Sequence, residues 1–311
     1  MIKILYAGKT TEYSAYKNQI TSGLNNLNID HEISDTAASP EEVDYIIYAP
    51  NSALSDFTPF TNVKLVQNLW AGVETAVTNE TLTQPFSRMV EPGLNQGMAE
   101  YVLGHVLRYH LETDFFAAQK PGVWRDDVVP PLAADRTVGI MGLGALGLDC
   151  ALRLSELGFD VHGWSRTEKH IENVTCHFGA DGLANVLGQA EILVLLLPDT
   201  PATRNIINAK TISHMRTDVR IINPGRGTLM DDDDLLAALD SEQVAAATLD
   251  VFSAEPLPKE HPYWTHPKVL VTPHVASSTR IKTAAQTVVE NIRRGEVGES
   301  FLHLVDRELG Y

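Results

Sequence analysis

Short, unbroken apolar runs recur along the chain, separated by stretches in which apolar positions return every three or four residues. The runs are IKILYA from residue 2, YIIYA from 45, KLVQNLW from 64, TVGIMG from 137, DVHGW from 160, EILVLLLP from 191, DVRIIN from 218, AAATLDVF from 245 and KVLVTPH from 268. Runs of this kind, rich in β-branched residues and alternating with helical patterns, are strands covered on both faces. They predict an α/β fold built on parallel sheets. Between residues 95 and 119, NQGMAEYVLGHVLRYHLETDFFAAQ spaces Met98, Tyr101, Val102, His105, Val106 and Tyr109 as one face of a helix. It predicts one long helix that stops at KPGVW, a domain boundary near residue 98, and the proline-rich VVPPLAADR as a connecting arm. Such a helix is placed to serve between domains or between subunits. DDDDLLAALDS, Asp231–Ser241, reads as a helix start whose acids complement the dipole, because successive helical residues point about 100° apart and cannot converge on one ion.

One strand-to-helix junction carries chemistry. TVGIMGLGALGLDCALRLSELGFDVHGWSRT places Gly142, Gly144 and Gly147 between an apolar strand and an amphipathic helix, with a further strand behind them. In such a turn the first glycine permits the bend, the second lets a pyrophosphate approach the backbone, and the third admits close helix packing. The phosphates are expected on the N–H groups of Ala145 and Leu146. The next strand ends in Ser165, Arg166 and Thr167. An acid there would select NAD, whereas two hydroxyls and a guanidinium suit a 2′-phosphate, so NADPH is the expected cofactor, with NADH second. Asp160 stands too early in its strand to serve as the ribose acid.

Length and charge narrow the picture. A chain of 311 residues and 34.1 kDa suits two domains rather than one small core. Its 24 basic and 40 acidic residues give a net charge of −16, which argues against a nucleic-acid partner and leaves an anionic substrate in need of local cations. Cys150, expected in a helix, and Cys176, expected in a loop, show no disulfide or zinc spacing. With MIKILYAGKT running straight into a strand and no apolar run of membrane length, the expected setting is cytoplasmic. No metal is expected: His105 and His110 read as packing residues, and His261 and His266 flank PYW without companion ligands.

Polar residues gather at the ends of three later strands. NPGRGTLM sets Arg226 after VRII, LDVFSAEPLP sets Asp250 and Glu255, and VTPHVASST sets His274. Open α/β sheets bind their ligands at that edge. Reduction of a 2-oxo acid needs a cation for the carboxylate and carbonyl, and a proton donor for the carbonyl oxygen. The planar fork of Arg226 suits the first task, the imidazole of His274 the second, and Glu255 is the carboxylate to hold that imidazole charged and oriented.

With these residues in view the chain resembles the D-isomer-specific 2-hydroxyacid dehydrogenases, and within them the glyoxylate/hydroxypyruvate reductase A group. WAGVE, GMAEYVL, GIMGLGALG, WSRT, LLLPDTPATRNIIN, NPGRG, DDDLLAALDS, LDVFSAEPLP, HPKVLVTPHVA and the terminal VDRELGY stand in order along essentially the whole length. The resemblance implies that Arg226 holds the substrate carboxylate, that Glu255 is the acid partner, and that His274 is the proton donor. It implies that Trp70, Ala71, Gly72 and Val73 form a loop whose amides also hold the carboxylate, and that Asp250 meets the nicotinamide carboxamide. Leu197, Pro198, Pro224, Arg226 and Ala276 join the glycine loop as implied cofactor contacts. Glu74 replaces a more usual aspartate, and Pro224 and Gly225 stand where many relatives carry other small residues. The implied architecture is a Rossmann-like NAD(P)-binding domain, residues 99–274, inserted in a flavodoxin-like substrate domain, residues 1–98 and 275–311, with the site in the cleft and the protein a homodimer. The expected activity is NADPH-dependent reduction of glyoxylate, hydroxypyruvate or a related small 2-oxo acid, with hydride from nicotinamide C4 and the proton from His274. The alternatives are a reductase for a bulkier acid such as phenylpyruvate, with Tyr48, Trp70 and Trp264 as pocket candidates, and a non-enzymatic module that senses NAD(P)(H).

Overall fold

Every apolar run named above overlaps a strand. The computed structural model describes residues 1–310, so Tyr311, the last residue of the VDRELGY motif, lies outside the described residues. The described chain divides into two units: residues 1–94 together with the chain from Ser278 onward, and residues 95–277.

The first unit opens with β1 (Ile2–Ala7), α1 (Thr10–Asn26), β2 (His31–Ser34), β3 (Tyr45–Tyr48), β4 (Leu65–Asn68), α2 (Glu74–Val77) and β5 (Phe86–Ser87). Its strands pair in parallel in the order β2-β1-β3-β4-β5, the flavodoxin-like sequence. All residues of β3 and β4 are buried, as strands covered on both faces require. Helix α3 (Pro92–His110) starts in this unit and leads into the next. Its Pro92 needs no N–H partner at a helix start, and the buried carboxylate of Glu91 accepts from the N–H groups of Gly93 and Leu94.

The second unit continues with α4 (Thr113–Ala118), β6 (Thr137–Met141), α5 (Ala145–Glu156), β7 (Asp160–Ser165), β8 (Thr175–Phe178), α6 (Gly179–Gln189), β9 (Ile192–Leu195), α7 (Ala209–Ile212), β10 (Val219–Asn223), α8 (Asp232–Asp240), β11 (Val244–Leu249) and β12 (Val269–Val271). The chain then returns to the first unit as α9 (Ile281–Val297), which packs Val288 and Ile292 beside Ile20 and Leu24 of α1. The second sheet is parallel in the order β12-β11-β10-β9-β6-β7-β8. Counted from β6 this is the Rossmann order with one added strand, and the strand order reverses beside β6, where such folds bind ligands. Ile192, Leu193, Val194 and Leu195 of the central β9 are all fully buried, each contributing roughly 1.5–3 kcal/mol. The α/β class, with a Rossmann-like and a flavodoxin-like sheet, is the one the sequence predicts.

Three particulars differ from expectation. The long helix is two: α3 ends at His110, and Glu112 adopts a left-handed φ of 53° before α4 begins. The break has a cause, since both Glu112 carboxylate oxygens accept from Arg220 Nη2, at 2.8 and 2.6 Å, which pulls the chain out of helical register. Cys176 lies in β8 rather than in a loop. Strands β2, β5 and β8 carry no continuous apolar run because each is short and lies at a sheet edge, where polar residues are tolerated. The acids at Asp231 onward form a helix start: the Asp231 side chain accepts from the Asp234 N–H at 3.1 Å, and Asp234 in turn accepts from the Ala209 N–H that opens α7. Among the described residues no helix is long and apolar enough to cross a membrane.

Candidate active site

The loop between β6 and α5 is shaped by its glycines. Gly142 has a φ of 104°, and a β-carbon there would stand 2.5 Å from the Leu196 carbonyl oxygen. At Gly147 a β-carbon would stand 1.8 Å from the Gly142 carbonyl oxygen, so only glycine lets α5 start this close to the strand. Around Gly144 a β-carbon would meet nothing within 4 Å. That open side lies at the start of α5, where the first N–H groups of Ala145 and Leu146 have no acceptor four residues back. This cradle fits a dinucleotide pyrophosphate. Leu197 and Pro198 follow β9 beside it, tied in by the Leu196 N–H donating to Met141 O at 2.8 Å.

At the end of β7 the expected trio separates. Arg166 and Thr167 are exposed, but Ser165 is buried and its hydroxyl donates to the Thr167 carbonyl at 2.7 Å. The Ser165 hydroxyl thus closes the turn that carries Arg166 and Thr167. The turn also brings in Lys169, whose Nζ donates to Leu143 O in the glycine loop at 2.6 Å. The signal was present in the sequence as a second cation three residues after Arg166.

Three neighbouring strand ends carry the remaining polar residues. After β10, the Asn223 side chain accepts from the Gly225 N–H at 3.1 Å and donates to Arg226 O at 2.9 Å, bracing the turn that holds Arg226 half-buried. A β-carbon on Gly227 would stand 1.9 Å from the Phe252 backbone, which fixes the turn against the end of β11. Arg226 Nη1 donates to Gly225 O at 2.7 Å. Arg204, bonded to Asp199, holds that carboxyl below its ordinary range, with smaller help from Thr228 and from the charge of Arg226. The strand ends are laced together: the Asp250 N–H donates to Asn223 O at 3.0 Å and the His274 N–H to Asp250 O at 2.7 Å.

His274 Nδ1 lies 2.8 Å from Glu255 Oε2, while Glu255 Oε1 accepts from the Phe252 N–H at 2.9 Å. The glutamate is thus fixed at both oxygens. As an acceptor it places the ring proton on Nδ1 and leaves Nε2 for a substrate oxygen. These side chains are 53% and 36% exposed, so the pair adds little to stability, and its consequence is ring orientation. Asp250 is fully buried, and Pro224 and Ala276 are also buried, with the Ala276 N–H donating to Asp250 Oδ2.

In the first unit, the fully buried Asn68 donates from Nδ2 to the carbonyls of Trp70 and Gly72, both at 2.9 Å. In a trans peptide the N–H points opposite to the C=O, so the amides of Ala71 and Val73 face away from Asn68. That is the arrangement a carboxylate-holding loop needs, and the sequence reading missed Asn68 as its brace. Trp70 is 44% exposed, whereas Tyr48 is core, packed edge-on against Phe57 at 5.3 Å, and Trp264 donates to Pro258 O. His105 packs tilted against Tyr101 and His110 edge-on against Phe159, and burial pushes both imidazoles below their usual range. Among the described residues no group of three or more His, Cys, Asp or Glu is placed to hold a metal ion.

The chain is similar to known dehydrogenases in sequence and in fold. The family model for the D-isomer specific 2-hydroxyacid dehydrogenase, NAD binding domain, matches residues 103–276. The glyoxylate/hydroxypyruvate reductase A of Yersinia enterocolitica is 41% identical over 227 residues, covering 73% of this chain and 72% of that one. A D-isomer specific 2-hydroxyacid dehydrogenase from Xanthobacter autotrophicus Py2, solved with NADPH and MES, superposes with a TM-score of 0.91 at 40% identity over 99% of both chains. The NADPH-dependent glyoxylate/hydroxypyruvate reductase of Sinorhizobium meliloti, solved with NADP and sulfate, gives 0.86 at 34% identity over 100% of both.

Proposed function

Because this chain belongs to the D-isomer specific 2-hydroxyacid dehydrogenase family, we propose that it reduces glyoxylate, hydroxypyruvate or a closely related small 2-oxo acid to the 2-hydroxy acid, using NADPH. The observation that carries the reading is the His274–Glu255 pair at 2.8 Å, set one strand end away from that of Asp250 and two from that of Arg226. Arg226 holds the substrate carboxylate and polarises the carbonyl. His274 gives its Nε2 proton to the carbonyl oxygen as that oxygen gains charge, and Glu255 stabilises the imidazolium that precedes this step. The cofactor, when bound, would supply the hydride; the glycine loop, Leu197, Pro198 and Pro224 would hold it, and Asp250 would accept from its carboxamide. The test is NADPH or NADH oxidation by the purified protein with glyoxylate, hydroxypyruvate, pyruvate and phenylpyruvate. Turnover of the first two with NADPH supports the reading. Turnover of phenylpyruvate alone transfers it to a bulkier substrate, and cofactor binding without any turnover favours a sensing module.

Cofactor choice rests on Arg166 and Lys169, two cations in one turn. Charge-assisted hydrogen bonds contribute about 1.5–3 kcal/mol each. The double variant Arg166→Ala, Lys169→Ala should therefore cut the NADPH-over-NADH preference by about two to four orders of magnitude, read as the ratio of kcat/KM values. An unchanged ratio would remove both residues from the site.

The arm after α4 leaves Val123, Trp124, Val129 and Leu132 at 49, 88, 81 and 75% exposure. A soluble chain seldom leaves so many large apolar residues together in water, and their occupant is proposed to be a second copy of this chain. Sedimentation should give twice the 34.1 kDa chain mass, and Trp124→Ser with Val129→Ser should return it to one. A wild-type monomer at micromolar concentration would end that proposal. The unpaired Cys150 and Cys176 support a cytoplasmic setting.

A further inference from the structure

Behind His274 a chain of hydroxyls runs into the interior of the second unit. The Tyr101 hydroxyl on α3 lies 2.7 Å from Thr272 Oγ1, and Thr272 Oγ1 donates to Asp250 Oδ1 at 2.6 Å. Asp250 then gathers three successive backbone amides. The His274 N–H donates to its carbonyl at 2.7 Å, the Val275 N–H to Oδ1 at 2.9 Å and the Ala276 N–H to Oδ2 at 2.9 Å. Because Thr272 has one hydroxyl proton and spends it on Asp250, Tyr101 must be the donor in the outer bond. Burial pushes the Tyr101 hydroxyl well above its usual range, so it keeps that proton.

The arrangement meets a mechanical need. His274 stands at a φ of 54°, in the left-handed region that side chains other than glycine and asparagine seldom adopt. A strained conformer on an exposed loop persists only where its surroundings fix it. Here Asp250 fixes it twice over, with its main-chain carbonyl on the His274 N–H and its fully buried carboxylate on the next two amides, the carboxylate itself oriented through Thr272 from α3, whose Val102 and Val106 are completely buried in the core.

We propose that Tyr101 and Thr272 are positioning residues for His274, acting through the carboxylate of Asp250. The proposal rests on the proton-donor role given to His274 above. Neither hydroxyl touches substrate; each keeps the imidazole where its proton transfer is productive, and small misplacements of a catalytic group are costly.

The experiment compares Tyr101→Phe, Thr272→Val and Thr272→Ser in the full-length protein. It reads kcat and KM with NADPH and the best oxo acid, NADPH affinity by protein fluorescence, and the imidazole Cε1–H signal of His274, assigned by its loss in His274→Asn. Thr272→Val should lower kcat about ten-fold and Tyr101→Phe about three-fold, with KM and NADPH affinity within about two-fold of wild type. Thr272→Ser should restore wild-type kcat, and the His274 signal should shift or broaden in the first two variants only. Wild-type kcat and an unmoved His274 signal in both would overturn the proposal. So would a parallel loss of kcat and NADPH affinity that Thr272→Ser fails to restore, since that marks a general packing role. If the wild-type protein turns over none of the acids, the proposed reaction fails, and the His274 signal alone decides this inference: moved supports it, unmoved overturns it.

Discussion

Replacing His274 with asparagine is expected to lower kcat by about 10²–10⁴-fold, the usual contribution of a positioned general acid. Asparagine is the informative replacement because the backbone at this position has a φ of 54°, which asparagine accepts better than alanine or glutamine. The turn, with its three amides on Asp250, should survive. Loss of the ion pair with Glu255 should cost at most about 1 kcal/mol, because the pair is largely exposed to solvent. Stability by thermal denaturation and NADPH affinity by fluorescence should therefore stay near wild type while turnover collapses. Steady-state kinetics at saturating cofactor provide the check, and a kcat within about three-fold of wild type would remove His274 as the proton donor.

The parts of this fold that the sequence made legible are those where burial leaves a one-dimensional trace. Central strands such as β9 and β10 are covered on both faces and read as unbroken apolar runs, while β2, β5 and β8 lie at sheet edges and read as nothing in particular. Glu112 could not be foreseen as a helix breaker, since its partner Arg220 is more than a hundred residues away at the start of β10. The site divides in the same way. Arg226, Asp250 and His274 could be placed because each follows an apolar run directly, so strand direction alone sets them on one sheet edge. The 2.8 Å contact between His274 and Glu255 depends on loop paths that spacing does not encode. The bond from the Ser165 hydroxyl to the Thr167 carbonyl was equally illegible, because a hydroxyl at a turn can serve nearby carbonyls as readily as a ligand. Tyr101 and Thr272 stand inside quoted motifs, but the bond between them joins positions far apart in the chain, and the bracing bonds of Asn68 to Trp70 and Gly72 depend on a loop path that spacing does not encode.

The second large effect is expected at Arg226. Arg226→Ala should raise the substrate KM and lower kcat together, reducing kcat/KM by about 10³-fold or more. A bidentate guanidinium–carboxylate contact is worth several kcal/mol, and its partner charge grows at the carbonyl oxygen as reduction proceeds. The fold should tolerate the change. The turn is braced by Asn223 through backbone groups, and Asp199, the acid that feels the charge of Arg226, stays bonded to Arg204. Arg226→Lys separates charge from geometry: it keeps the cation but loses the planar fork, and should recover part of KM and little of kcat. NADPH affinity measured without substrate is the control, because a loss there of the same size would assign Arg226 to cofactor binding instead. If both variants keep wild-type kinetics, the carboxylate is held elsewhere, and the arginine between its two glycines is a structural turn residue only.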